Sequence, residues 1–379
     1  VANRYWVGDT GDWNQTAHWS TTSGGAGGAA VPTAFDVALI DTNSFSADNQ
    51  VITIPVNTTY SVGGIIVTAP EAGSTLFISG DPDYSTGTYL NVYSTFDLRS
   101  TFTLKQHVLG DATDTGKGGV VFAGNTALDY DQNNATLQAD LSFEKESGGT
   151  MGTATIDGDI IVTNGSTTGY DVNWTGGHLF FSDSGSVLTC ESVGFYGTPL
   201  GGDMTITTSL TINASSVSIY YDIATGSTLA LSGCTFNMTD TVSNGFAVDS
   251  TGGSVTIGTM NYTTATSGNN YFQGQTAITV TNFNVTNGTD VRIYEGMTLT
   301  VTNLTITGLN GNPSLLRSTT TTDWNLVKTS GSVVALNAQI RDCNASGGAS
   351  FIAVGPGADQ GNNTGWTFMS NTSAFVAFF

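Results

Sequence analysis

Positive charge is scarce in this sequence. Nine lysines and arginines stand against 30 aspartates and glutamates, for a net charge of −21. A chain of that sign repels phosphate backbones and anionic membrane surfaces, and no basic patch offsets it. Nucleic acid is therefore not an expected partner. Cysteine is sparse as well. Cys190, Cys234 and Cys343 are an odd set, too far apart in sequence for a disulfide framework or a zinc knuckle. Proline occurs only 7 times. No apolar run approaches the ~18 residues of a membrane-spanning helix, so membrane insertion is not expected. No heptad and no i, i+3, i+4, i+7 stripe of useful length occurs, which argues against helices. The opening "VANRYWVGDTGDW" lacks the features of a signal peptide. Loss of an initiator Met before Val1 implies synthesis in a host cytoplasm and export by lysis, as for a virion part. The alternative is a signal upstream of Val1.

Glycine is abundant at 48 residues, and hydrophobic residues make up 39 % of the chain. Short apolar runs alternate with stretches of Thr, Ser, Asn and Gly, the pattern of an all-β chain. One stretch is informative: "MTLTVTNLTITGLNG", residues 297–311. Leu299 and Val301 share one parity, whereas Leu304 and Ile306 share the other. Strand side chains alternate faces, so a straight strand would point these pairs in opposite directions. A bend at Thr302–Asn303 brings both pairs to one interior. The rule is h-x-h-x-x-h-x-h, with h apolar.

The same rule fits Ile278, Val280, Phe283 and Val285, then Val255, Ile257, Met260 and Tyr262. It also fits Leu229, Leu231, Cys234 and Phe236; Ile212, Ala214, Val217 and Ile219; and Leu188, Cys190, Val193 and Phe195. Far upstream, Tyr60, Val62, Ile65 and Val67 follow it around Gly63–Gly64. Successive downstream starts are 17 to 26 residues apart. A loose period in the low twenties is the signature of a solenoid whose coils stack by parallel hydrogen bonding. Gly and Asn at the bends are expected to supply positive φ. Thr at the outward places suits an exposed strand face. The expected fold is all-β: a right-handed parallel β-helix with an N-terminal Trp-rich cap and a C-terminal β cap. A β-sandwich of many hairpins is the competing reading.

Composition suggests four stretches. Residues 1–59 hold Trp6, Trp13 and Trp19 and a Gly-rich linker, read either as a packed cap or as a docking surface for a partner. Residues 60–150 read as irregular β structure or early coils, 151–345 as the regular solenoid, and 346–379 as a closing cap that ends in the apolar "AFVAFF".

The opening "RYWVGDTGDWNQTAHWSTTSGGAGG" resembles the start of β-helical surface and phage structural proteins. The pairs Trp6–Gly8, Gly11–Trp13 and Trp19–Ser20, followed by Pro32, carry the likeness. The tail "IRDCNASGGASFIAVGPGADQGNNTGWTF" is similar to the closing coil of such proteins. Together the two stretches cover about 70 of 379 residues. The resemblance implies a virion or cell-surface location, as in phage fibres, tailspikes and bacterial adhesin-like proteins. It implies a structural or adhesive role in host attachment by an elongated β-helix. The implied partners are other virion or surface proteins, reached through the Trp6, Trp13, Trp19 segment, and a host glycan. Assembly as a homo-trimer is implied too. A polysaccharide-degrading tailspike and a secreted bacterial adhesin are the alternatives.

Catalysis has thin support. Glycoside hydrolysis needs two carboxylates at a defined separation. Acids spaced i, i+2 share a strand face, and Asp81/Asp83, Asp129/Asp131, Glu144/Glu146 and Asp157/Asp159 qualify. Four such pairs among 30 acids are close to chance. Arg292, Arg317, Lys328 and Arg341 lie beside none of them, although Arg341 adjoins Asp342. His18, His107 and His178 lack a serine elbow or a paired acid in sequence. Cys190 and Cys234 fall at inward positions, where thiols are inert. Asn-x-Ser/Thr triplets follow from composition. The Thr298, Thr300, Thr302 and Thr279, Thr281 rows could present an ice-like lattice, but earlier coils offer only Thr256 and Thr228 in similar places, and unequal coil lengths spoil a flat array. No residue is assigned a catalytic, cofactor-binding or metal role, and no cofactor is expected.

Overall fold

The computed structural model of the chain describes all residues except 80–86, 100, 108–117, 125, 134, 145, 148–149, 152, 163–170, 177, 182–185, 191, 198–209, 215, 222–227, 239–244, 250–252, 264–269, 275–276 and 371–379. The fold is all-β and solenoid-like, built from long parallel sheets. Two compact units divide the chain, residues 1–194 and 195–379. Among the described strands, antiparallel pairing is confined to Asn3–Trp6 with Trp19–Ser20 and to the short pair Glu146–Ser147 and Thr150–Met151. A sandwich of hairpins is thereby set aside. The closing run "AFVAFF" lies outside the described residues.

In the first unit the strands stack in three parallel rows. One row lays Leu90 of Thr88–Asp97 on Val120 of Gly118–Ala123, then on Leu141 of Leu141–Glu144 and Val172 of Asp171–Gly176. A second lays Phe96 on Tyr130 of Leu128–Asp131 and on Ile156 of Thr153–Asp157. The third passes through Ile52, Leu76, Leu104 and Leu137. All of these side chains are buried. Phe96, Phe122, Tyr130 and Phe143 fill the interior with contacting ring centroids 4.6 to 6.1 Å apart. Such ring pairs add about 0.5–1.5 kcal/mol each beyond area burial. Gln132 is buried among them and fully used. It donates to the carbonyls of Ala135 and Ile161 and accepts from the Ile161 N–H, which fastens one coil to the next.

The bend expected at Gly63–Gly64 is present within Thr59–Val67. A Cβ on Gly63 would stand 2.9 Å from the carbonyl oxygen of Asp36. That carbonyl accepts the Gly63 N–H, so only glycine fits the approach. Parallel pairing begins earlier still, where Asn3–Tyr5 lies along Val37–Leu39, and Val37–Ile40 in turn along Gly64–Val67. Trp6, Trp13 and Trp19 are fully buried and meet edge to face. His18 stacks flat on Trp6 at 4.8 Å. A Cβ at Gly11 would collide with the His18 ring, so the Gly11–Trp13 pair is a packing device.

In the second unit the parity switch lies inside single long strands. Ser254–Tyr262, Ala277–Thr286 and Thr298–Thr307 pair so that Val255, Ile278 and Leu299 align, as do Ile257, Val280 and Val301. Beyond the bend, Met260, Phe283 and Leu304 align, then Tyr262, Val285 and Ile306. All are buried except Leu304, which is half-buried. At Leu229–Phe236 the inward places Leu231, Cys234 and Phe236 are buried, but the alignment with the next coil changes. The register shifts after Leu231, so Phe236 and Met238 take the places of Met260 and Tyr262, and Cys234 sits against Leu210 instead. At Ile212–Ile219 the same spacing marks a different corner. Leu210–Ala214 and Ser216–Tyr221 belong to different sheets.

The role of Asn at the bends also differs from expectation. Positive φ occurs at Asn287 and Asn337, outside the long strands, and not at Asn282 or Asn303. The bend asparagines instead bond to one another across coils. Asn303 donates its amide to Asn282 at 2.9 Å, and Asn282 donates to the Thr259 hydroxyl at 3.1 Å. A second outward ladder is longer: Asn237 donates to Asn213, Asn261 to Asn237 and Asn284 to Asn261, at 2.7 to 2.8 Å. The steps are 24, 24 and 23 residues, the true coil length here. The Thr column is shorter, with Thr256, Thr279 and Thr300 aligned.

Asn261→Ala removes a donor and an acceptor from mid-ladder and should cost about 1–3 kcal/mol in chemical denaturation, more than Asn303→Ala at the end of its row. Asp36 is buried, and burial alone would raise its carboxyl. Hydrogen bonds from the Thr33 hydroxyl and the Thr33 and Ala2 N–H groups outweigh that and hold it below the usual carboxylate range. Its stabilisation is therefore complete above the unfolded value of ~3.9 and lost as pH falls through the folded one. Melting temperature against pH should show that acid loss in the native chain and a smaller one in Asp36→Asn.

Candidate functional site

The outward face of the first row in unit one carries a groove. Tyr89 and Asn91 project from Thr88–Asp97, and the next strand offers Gly119, Val121 and Ala123 at the matching places. The strand after that brings Asp140, Ser142 and Glu144, with Asn173 one coil further on. Small residues on the middle strand thus leave a trough between a tyrosine and a carboxylate bank. Gly119 has φ +145°, and a Cβ there would lie 2.5 Å from the Asp140 carbonyl oxygen. The open volume is about 590 Å³.

The banks are ordered by hydrogen bonds. Asp140 is fastened at both ends: its N–H donates to Gln106 Oε1 at 3.0 Å, and Gln106 Nε2 donates to its carboxylate at 3.4 Å. The Ser142 hydroxyl donates to Glu144 Oε1 at 3.1 Å. Tyr89 feels both acids across the trough. Burial first, then the charges of Asp140 and Glu144, push its hydroxyl above the ordinary phenol value, so it stays a proton donor at neutral pH. An aromatic face, two carboxylates and two amides can hold a polyol: the ring meets C–H groups, and the oxygens and amides meet hydroxyls.

A second feature is an acidic column one wall away. Asp97, Asp131 and Asp157 lie directly over one another on three coils. Asn133 bridges the first two, donating to Asp97 at 3.1 Å and Asp131 at 2.6 Å, and Arg99 pairs with Asp97. Burial raises the Asp131 carboxyl. The Asn133 N–H and amide oppose this, and the charges of Asp97 and Asp157 reinforce it, for a net upward displacement. Asp131, Asp157 and Asp159 line an open cleft of about 400 Å³ with Gly158 and Asn133.

These placements regroup the acids. Asp131 and Asp157 come from two different i, i+2 pairs and meet across coils, while Asp159 caps the Val187 N–H at 2.8 Å. Glu144 faces Asp140 and Tyr89, neither of which the spacing singled out. The Glu146 and His178 side chains, and Asp81 and Asp83, lie outside the described residues. His18 is packed on Trp6 with Nδ1 3.0 Å from the Val7 carbonyl oxygen. Cys190, Cys234 and Cys343 are buried free thiols, and burial pushes Cys234 and Cys343 up to about 12. Among the described residues no three His, Cys, Asp or Glu side chains converge as a metal site, and no helix is long and apolar enough to cross a membrane.

No family model, no curated protein and no solved structure matches this chain.

The acidic column makes a titration prediction. The Asp131 carboxyl should titrate above the ordinary aspartate value of ~3.9 in carbon-detected NMR. Asp157→Asn removes one neighbouring charge and should bring that midpoint down.

Proposed function

We propose that this chain is a structural and adhesive protein of a virion surface, a phage tail fibre, spike or capsid decoration, that holds a host glycan against its stacked coils. The groove between Tyr89 and the Asp140–Glu144 bank carries the reading. Its lining comes from consecutive coils, so it presents a repeating wall to a ligand that itself repeats. The terminal resemblances support the virion location. A right-handed coil is the sense that parallel crossovers favour. In the same reading the buried Trp6, Trp13, Trp19 cluster caps the coils of the first unit, and Trp366–Met369 is a closing strand within the second. Docking of the N-terminal segment to other virion proteins then falls to residues around the indoles, such as Phe35, which is 77 % exposed. Assembly as a trimer belongs to this proposal.

Asp131 favours a second reading, a spike that also cleaves its glycan. A carboxyl displaced upward with a second carboxyl stacked one coil away is the arrangement a general acid and its partner require.

Adsorption of the purified chain to host cells and to their extracted surface polysaccharide tests both readings. Binding is expected, and Tyr89→Ala should weaken it by about tenfold or more, as loss of an aromatic anchor does. Binding that survives Tyr89→Ala intact, or absence of the chain from purified particles, would sink the first reading. Release of reducing ends by the native chain but not by Asp131→Asn supports the second; no release from any bound glycan removes it.

A further inference from the structure

The chain's few arginines are not scattered. On the outward face of one sheet in the second unit, Tyr271, Arg292, Arg317 and Arg341 lie directly over one another on four successive coils. Like charges stacked at the strand spacing repel, so each needs a reason to be there. Two have one. Arg317 grips Asp290 with both ends of its fork, Nε to Oδ1 at 2.9 Å and an Nη to Oδ2. Arg341 donates from Nε to the buried Asp342 at 2.9 Å. Arg292 has none of this kind. Among the described residues no carboxylate pairs with it, and its Nε is shut off from solvent without a hydrogen-bond partner. What it does have is the face of Tyr271, with the guanidinium carbon 5.8 Å from the ring centroid.

The surroundings suit a particular ligand. Tyr271 and Gln273 pair with Gly245 and Ala247 of the preceding strand. Gly245 leaves a shelf below the tyrosine, since among the described residues a Cβ built there would meet only the Ser216 hydroxyl, at 3.8 Å. Gln273 is exposed, and Tyr294, Thr319 and Gln339 are half-exposed, all neutral groups that bond hydroxyls. Asp290, and the net charge of −21, oppose a polyphosphate backbone. One unpaired arginine fork asks for one planar anion among neutral hydrogen-bonding groups.

We propose that Arg292, with Tyr271 and the Gly245 shelf, is a receptor for the carboxylate of an acidic saccharide. The choice of a saccharide rests on the host-surface reading; the choice of an anion does not. A sulfate ester shares the oxyanion chemistry and is the other source.

Calorimetric titration of the intact chain with the methyl glycoside of galacturonate, its neutral methyl ester and a monosulfated disaccharide tests this. The acid should bind, and the neutral ester about tenfold more weakly or worse. Added salt should weaken the acid only. Arg292→Gln should lose affinity to the same degree with an unchanged melting temperature. Gly245→Leu fills the shelf without touching a charge and should lose affinity too, which keeps the test sound if Arg292→Gln disturbs the fold. Tighter binding of the sulfated sugar, still dependent on Arg292, keeps the site and names sulfate as the source. Equal binding of acid and ester, unchanged affinity in both variants, or no binding of either anion overturns the proposal. Host adsorption that persists in Arg292→Gln while these titrations fail overturns this site alone; titrations that succeed with no adsorption overturn the host reading alone.

Discussion

Parallel in-register stacking is the constraint from which the other features follow. Each coil places a side chain over its counterpart on the coil before, about 4.8 Å away. A position is therefore tolerated only if the residue can sit on a copy of itself. Inside, this is easily met, and Val255, Ile278 and Leu299 show how loosely apolar identity needs to be kept. Outside, it selects groups that are donor and acceptor at once. An asparagine amide meets that condition, which is why Asn213, Asn237, Asn261 and Asn284 bond in a line. Charges fail it. Two like charges at that spacing repel by about 1 kcal/mol in water and roughly 3.5 at the effective dielectric of a protein surface. A chain with only 10 % charged residues is the outcome.

The bends follow from the same constraint. A wall can turn only where every coil turns together, so the corner residues also stack. Gly258 serves because a Cβ there would fall 2.4 Å from the Ser232 carbonyl oxygen of the coil before. Asn282 and Asn303 serve because their amides reach each other. Positive φ was the expected reason for both residue types, and close approach and amide pairing are the actual ones. Where a corner carries extra residues the long strand divides. Thr298–Thr307 gives way to Trp324–Val327 and Ser332–Leu336, and Lys328 at the break reaches back to the Thr302 carbonyl.

The inward pattern was legible in sequence because it is local. Leu299, Val301, Leu304 and Ile306 announce a bend within a few residues, with no knowledge of the neighbouring coil. The outward columns were not, since they depend on coil length, which varies. The Asn ladder keeps a step of 23 or 24 residues and could have been found by searching at that offset. Asp97, Asp131 and Asp157 are unequally spaced, so only the register brings them together. The groove was hidden for the same reason. Tyr89, Gly119 and Asp140 share no motif, and the trough exists because a small residue falls between two large ones on adjacent strands.

Two outward columns break the rule against stacking like charges, and they resolve the conflict differently. In the arginine column, aspartates are recruited from neighbouring positions: Asp290 neutralises Arg317, and Asp342 neutralises Arg341. In the acidic column, Arg99 serves Asp97 and an amide, Asn133, sits between Asp97 and Asp131, while burial, reinforced by the charges of Asp97 and Asp157, raises the Asp131 carboxyl. Packing gains nothing from either arrangement, because an asparagine or threonine at the same places would stack without strain. A fold that can dispense with surface charge and yet aligns three arginines and three aspartates retains them at a cost in stability. The residues whose charge is least compensated within each column, Arg292 and Asp131, are where that cost is greatest, and so where a ligand would gain most by supplying what the coils do not.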